Sequence, residues 1–208
     1  MKKQIIFDMD GTLSDTGKAT LTAIRALEDK FQLPTVDISH IRNAMGIAGL
    51  EFHRAIFPSL PEDVLIRLEP EVDALEYEAI QALGASILFP GVMKLLAELS
   101  HAGHKLHIAS TGSSTHVQGT LSATGIRQFI ASVSCGEPEK ISMVNRIIAG
   151  TDPKGWVMVG DMYKDSEAAR GNKILALGAG YGYLARKDYA LFDGVLNSPD
   201  DIWAYLKV

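Results

Sequence analysis

The chain has 208 residues, 47% of them hydrophobic and 22% charged, as in an ordinary soluble globular protein with one large core or a core plus a modest insertion. A net charge of −5 argues against nucleic acid as the main partner, because phosphate backbones reward clustered lysine and arginine. The single cysteine, Cys135, excludes an intrachain disulfide framework; no apolar run reaches a membrane span, the basic start meets aspartates too soon for a signal peptide, and the expected location is cytoplasmic.

Residues 3–8 read as a first, central strand within the stretch Ile5-Ile6-Phe7-Asp8-Met9-Asp10-Gly11-Thr12. Alternate residues of a strand share a face, so Asp8 and Asp10 leave it side by side if the strand runs that far. Gly11 then lets the backbone turn sharply. Two adjacent carboxylates repel, and a hard, oxygen-seeking cation such as Mg²⁺ relieves the repulsion. For either aspartate alone, a strand ending in a polar turn is the competing reading.

A helical period follows at Leu21, Ile24, Leu27 and Phe31, and Pro34 breaks it. Helical patterns resume at 38–45, 50–57 and 61–83, punctuated by Pro58, Pro61 and Gly84; Pro70 predicts a kink or a division in the last. No strand pattern occurs between 14 and 86.

From 87 the pattern changes. Phe89-Pro90-Gly91-Val92 is a turn, and Val92, Leu95, Leu96 and Leu99 form one helix face. Strands are predicted at 105–109, 129–134, 156–159, 174–177 and near Val195, with helices between them, the clearest carrying Ile141, Val144, Ile147 and Ile148. The alternation predicts an α/β fold, a Rossmann-like parallel sheet with helices on both faces, whose ligands collect at the strand C-terminal ends. The expected organisation is a core of residues 1–13 and 88–208, interrupted by a helical cap at 14–87.

Three further constellations fall at those strand ends. Ser110, with Thr111, Gly112 and Ser113, follows a strand; a hydroxyl and loop amides at a helix start make an anion site, or simply an N-cap. Lys140 precedes the helix at 141–149, an unfavourable place for a cation, where it either neutralises an anion or extends into solvent. The apolar run 157–159 ends in Gly160-Asp161, with Asp165 four residues on, concentrating negative charge that demands a metal if it meets the first pair.

In this order the four motifs resemble those of the haloacid dehalogenase-like superfamily: Asp-x-Asp-Gly-Thr, a strand ending in Ser/Thr, a lysine, and Gly-Asp-x-x-x-Asp. The all-helical block after the first motif resembles that family's C1 cap, and Phe89-Pro90-Gly91-Val92 looks like its return hinge. The resemblance implies a Mg²⁺-dependent phosphatase acting on a small phosphorylated metabolite, similar to phosphoglycolate phosphatases, as a monomer or homodimer. It implies Asp8 as nucleophile and Asp10 as general acid/base. Ser110 and Lys140 would hold the transferring phosphoryl group, with amides around Gly11, Thr12, Thr111 and Gly112. Asp8, the Asp10 main-chain carbonyl and Asp161 would bind the metal, with Asp165 a ligand or its orienter.

Asp10 speaks for phosphoryl transfer, since the family's dehalogenases lack that second aspartate. Phosphonate-cleaving relatives use a cap lysine, but Lys18 and Lys30 occupy no distinctive setting. A β-phosphoglucomutase-like mutase is the nearest alternative. Its cap-loop arginine has no counterpart in Met45-Gly46-Ile47-Ala48-Gly49-Leu50, although Arg42 or Arg54 could substitute. A non-catalytic binding protein of the same fold is the other. His53 and His116 could face the cleft, Tyr181 and Tyr183 its rim; His101, His104 and His107 are not expected to share a metal, and Trp156 and Trp203 read as packing residues.

Overall fold

The computed structural model describes residues 2–47 and 49–206; Ala48 of the cap loop and the last two residues of the expected core lie outside that range. Gln4–Phe7 forms β1, whose alternation sends Ile5 and Phe7 to one face of the sheet and Ile6 to the other. All three are fully buried, because helices cover both faces. Then come α1 (Gly17–Phe31), α2 (Ile38–Ala44), α3 (Leu50–Ile56) and α4 (Glu62–Leu83), with no strand among them. The rest alternates: α5 (Val92–His101), β2 (Lys105–Ser110), α6 (Ser114–Thr124), β3 (Ile130–Cys135), α7 (Lys140–Ile148), β4 (Trp156–Gly160), α8 (Tyr163–Gly171), β5 (Leu175–Ala179), β6 (Gly194–Leu196) and the short α9 (Trp203–Leu206).

The six strands are all parallel, in the order β3-β2-β1-β4-β5-β6. Val92, Leu95, Leu96 and Leu99 of α5 and Val117 and Leu121 of α6 pack on the Ile5/Phe7 face. Val144 and Ile148 of α7 and Ala168 and Ala169 of α8 pack on the Ile6 face. Each valine, leucine or isoleucine among them contributes roughly 1.5–3 kcal/mol when fully withdrawn from water.

The helical block has its own hydrophobic cluster, in which Ile24 and Leu27 of α1 meet Ile41 of α2, Ile56 of α3 and Leu65, Leu68 and Val72 of α4. Two chain segments join it to the sheet side by side. Asp15 N–H donates to the Ile87 carbonyl at 2.8 Å, and Phe89 N–H to that of Leu13 at 3.0 Å. The expected division at Pro70 does not occur: α4 runs unbroken for 22 residues. Pro70 and Ile66, whose carbonyl would have accepted the missing N–H, are both exposed, so water can take that bond.

Candidate active site

The strand order reverses at β1, between β2 and β4, and the chemistry-bearing residues leave the sheet there. Phe7 lies level with Ile108 of β2 and Val159 of β4, so Asp8, Ser110 and Asp161 follow from adjacent strand ends. Asp8 N–H still donates to the Val159 carbonyl at 2.9 Å, but regular pairing ends at Phe7. The strand does not run through Asp10. Gly11, at φ +84°, turns the chain; its carbonyl accepts from Tyr183 N–H, and a side chain there would collide with Asp161.

Asp8, Lys140, Asp161 and Asp165 form one buried cluster. Lys140 Nζ, 3% exposed, lies 2.7 Å from Asp8 Oδ2 and 2.7 Å from Asp165 Oδ1. Asp165 Oδ2 accepts from the Asp161 and Met162 amides at 3.0 and 2.9 Å. Both oxygens of Asp165 are thus occupied, and its geometry suits orienting the lysine and the Asp161 loop. Asp161 Oδ1 accepts the Thr12 hydroxyl at 2.7 Å, while its buried Oδ2 has no partner among the described residues.

Burial pushes the Asp8 carboxyl up to about 7 despite Lys140, with Asp165 and Asp10 adding repulsion. Burial, Asp8 and Asp165 hold Asp161 well above the ordinary carboxylate range. Lys140 stays firmly charged, because Asp165 and Asp8 outweigh its burial. A buried carboxylate oxygen without a partner, beside a second carboxylate, is the donor chemistry a hard divalent cation takes. Asp8, Asp161 and Asp165 each offer an oxygen within 4.8 Å of the others, so these residues fit a metal. The Asp10 carboxylate is outside this group, and because β1 ends at Phe7 the condition for a side-by-side pair of aspartates on the strand is not met.

Asp10 turns instead toward α6. His116 Nε2 lies 2.9 Å from Asp10 Oδ1, and His116 Nδ1 lies 3.5 Å from Glu76 Oε2 on α4. An imidazole facing a carboxylate through each nitrogen holds both N–H groups. Burial pushes its pKa down, but Asp10 and Glu76 outweigh that and raise it well above the ordinary value. Burial likewise raises Asp10, and the His116 charge and hydrogen bond bring it below the usual carboxylate range. In sequence His116 was one of six histidines, and nothing local connects it with an aspartate 106 residues away.

The remaining predicted residues take varied places. Ser110, 1% exposed, ends β2 and its hydroxyl accepts from Gly112 N–H at 3.1 Å. Thr12 is fully buried, its hydroxyl used on Asp161. Thr111, Gly112 and Ser113 line a cavity of about 560 Å³ between the strand ends and α3–α4, which Asp8, Asp10 and His116 also reach. Ser113 does cap α6, accepting from His116 N–H at 3.2 Å.

Arg42 sits 3.2 Å from Asp15 and over the Tyr183 ring, and Arg54 pairs with Glu51 and Glu62; neither lines the cavity. The Tyr183 hydroxyl donates to Asp15 and accepts from Gly17 N–H, so it belongs to the joint between sheet and helical block. Tyr181 packs edge-on against Phe89. His107 is buried between Gln4 and Ser132, His104 bonds to Lys3, and Trp156 packs at a tilt against His107 and Trp203 edge-on against His104.

Comparison with known proteins places this geometry. The family model described as haloacid dehalogenase-like hydrolase matches residues 5–179. A phosphoglycolate phosphatase from Synechococcus elongatus is 28% identical over 206 residues, covering 95% of this chain and 94% of that one. Among solved structures, a predicted phosphoglycolate phosphatase from Haemophilus somnus superposes with a TM-score of 0.87 at 22% identity, over 98% and 97% of the chains. A β-phosphoglucomutase from Clostridium difficile superposes at 0.77 and 19%, over 100% and 96%. At these identities the structural likenesses establish the fold.

Proposed function

The chain belongs to the haloacid dehalogenase-like hydrolases, and from that premise we propose that it is a Mg²⁺-dependent phosphatase hydrolysing a small phosphate monoester through an aspartyl-phosphate on Asp8. The observation that carries the reading is the placement of Asp8: at a cavity floor, 2.7 Å from Lys140, with Asp10 reaching the same cavity.

Asp8 and Asp161 would hold the cation together with the Asp10 carbonyl, Asp165 orienting the group. Bound there, Mg²⁺ would offset the repulsion between carboxylates and phosphate. The residues do the rest. One Asp8 oxygen attacks phosphorus, and the bond from phosphorus to the leaving oxygen breaks. Asp10 passes to that oxygen the proton that the Asp10–His116 pair holds. Water then attacks phosphorus, Asp10 takes its proton, and the bond to Asp8 breaks, releasing inorganic phosphate. Lys140, the Ser110 hydroxyl and the loop amides at 111–112 suit holding the equatorial oxygens, where charge gathers.

A mutase must grip a second phosphate, which calls for a cation in the cavity. Neither lysine nor arginine lines it among the described residues, which favours hydrolysis. The test is phosphate release from a panel of small monoesters, with Mg²⁺ and with EDTA, comparing wild type with Asp8→Asn. Metal-dependent release reduced at least about 10³-fold by the substitution is expected. Release that survives Asp8→Asn unchanged would overturn the assignment of the nucleophile.

A further inference from the structure

The wall opposite Asp8 carries charge of one sign. Glu69, Asp73 and Glu76 all line the cavity from α4, at spacings of four and three that put them on one helix face. They span about 10 Å of helix, the rise of seven residues. Glu76 is engaged by Thr20 and His116. Glu69 and Asp73 form no ion pair and no side-chain hydrogen bond among the described residues. No lysine or arginine on this wall neutralises them.

A second observation is independent of the acids. His53 of α3 lines the same cavity, is only 2% exposed, and its buried Nδ1 has no hydrogen-bond partner. Burial lowers its pKa, against the pull of Glu76, so the ring is neutral near pH 7 and one nitrogen is an acceptor. A buried polar group left unpaired costs free energy that a ligand N–H would recover. Phe52 and Tyr77 add aromatic faces to the wall.

An anionic leaving group would meet repulsion from Glu69 and Asp73, Glu76 being paired with His116, and a purely apolar one would leave His53 unpaired. A metal ion is poorly matched, since among the described residues only Asp8, Asp161 and Asp165 bring three such ligands together. We infer that the leaving group of the substrate carries a protonated amine, bound between the Glu69/Asp73/Glu76 face of α4 and His53. This rests on the phosphatase reading and adds the chemical class of ester. It also separates this chain from relatives named for phosphoglycolate, whose leaving group carries a carboxylate.

The test compares kcat/KM of the Mg²⁺-loaded protein for 4-aminobutyl phosphate, its uncharged isostere n-pentyl phosphate, and 2-phosphoglycolate, with p-nitrophenyl phosphate as a general phosphatase control. The amine is expected to exceed both others by about tenfold or more, a ratio that shrinks at high salt. In the Glu69→Gln/Asp73→Asn variant the ratio should collapse toward one. Equal or faster hydrolysis of 2-phosphoglycolate by wild type would overturn the inference and leave the phosphatase reading standing. No release from any of the four, the control included, would overturn both.

Discussion

Lys140 lies between two carboxylates, and its charge does not fully compensate them: Asp8 is pushed up to about 7 and Asp161 is raised as well. A carboxyl whose folded-state pKa exceeds its unfolded value favours the folded state while protonated. That contribution is present below about pH 4 and lost as pH rises through about 7. The metal-free protein should therefore lose stability from this cluster between about pH 4 and 7, as the carboxyls that would hold a cation ionise. The Tm difference between Mg²⁺-loaded and EDTA-treated protein should widen with pH over that range. A difference that stays flat in calorimetry would show that the cluster is not the cation's site. His116 is a positioning residue for Asp10, fixing one oxygen so that the other can face the leaving group. His116→Gln should lower kcat about tenfold or more for alkyl phosphates, which need a proton on departure, and far less for p-nitrophenyl phosphate, which does not. An equal loss on both ester types would mean that His116 only supports the structure.

At the level of elements, the site depends on loops that begin where strands stop. Gly11 is one tight point: its φ of +84° suits glycine, and an added Cβ would collide with the Asp161 carboxylate. Gly11→Ala should cost on the order of 1–3 kcal/mol in chemical denaturation and displace Asp161, lowering apparent Mg²⁺ affinity. Unchanged metal affinity would show that the turn does not set the position of Asp161. These strand-end acids were legible in the sequence because each follows an apolar run: Ile5–Phe7 before Asp8, Val157–Val159 before Gly160-Asp161. The six strands and their parallel arrangement were legible for the same reason, through alternation with helical periods. Two features were not. Asp10 meets His116 only because α6 packs beside the end of β1, a contact between residues 106 positions apart. Glu69, Asp73 and Glu76 look in sequence like a solvated helix face, and only the placement of α4 over the strand ends makes them a cavity wall.

Across the whole molecule, sheet and helical block each have a large hydrophobic cluster, are connected by two adjacent segments, 13–15 and 87–89, and pack together where Ala19, Ile80 and Ile87 meet Ala123 of α6. Asp15 ties this joint together through Tyr183, Arg42 and Lys18. Glu76 and His116 link the two parts again across the cavity, one from each side. The arrangement suits a cap that closes over a bound ester and excludes water from Asp8. The proposed reaction has one carboxylate, Asp8, become covalently phosphorylated, and that step can be caught directly. Wild-type protein turning over a phosphate ester with Mg²⁺ is quenched into hydroxylamine, which converts an acyl phosphate to a hydroxamate, and its peptides are weighed. A hydroxamate on Asp8 that requires both ester and Mg²⁺ is expected. Turnover with Asp8 unmodified, or modification of a different carboxylate, would contradict the proposed reaction.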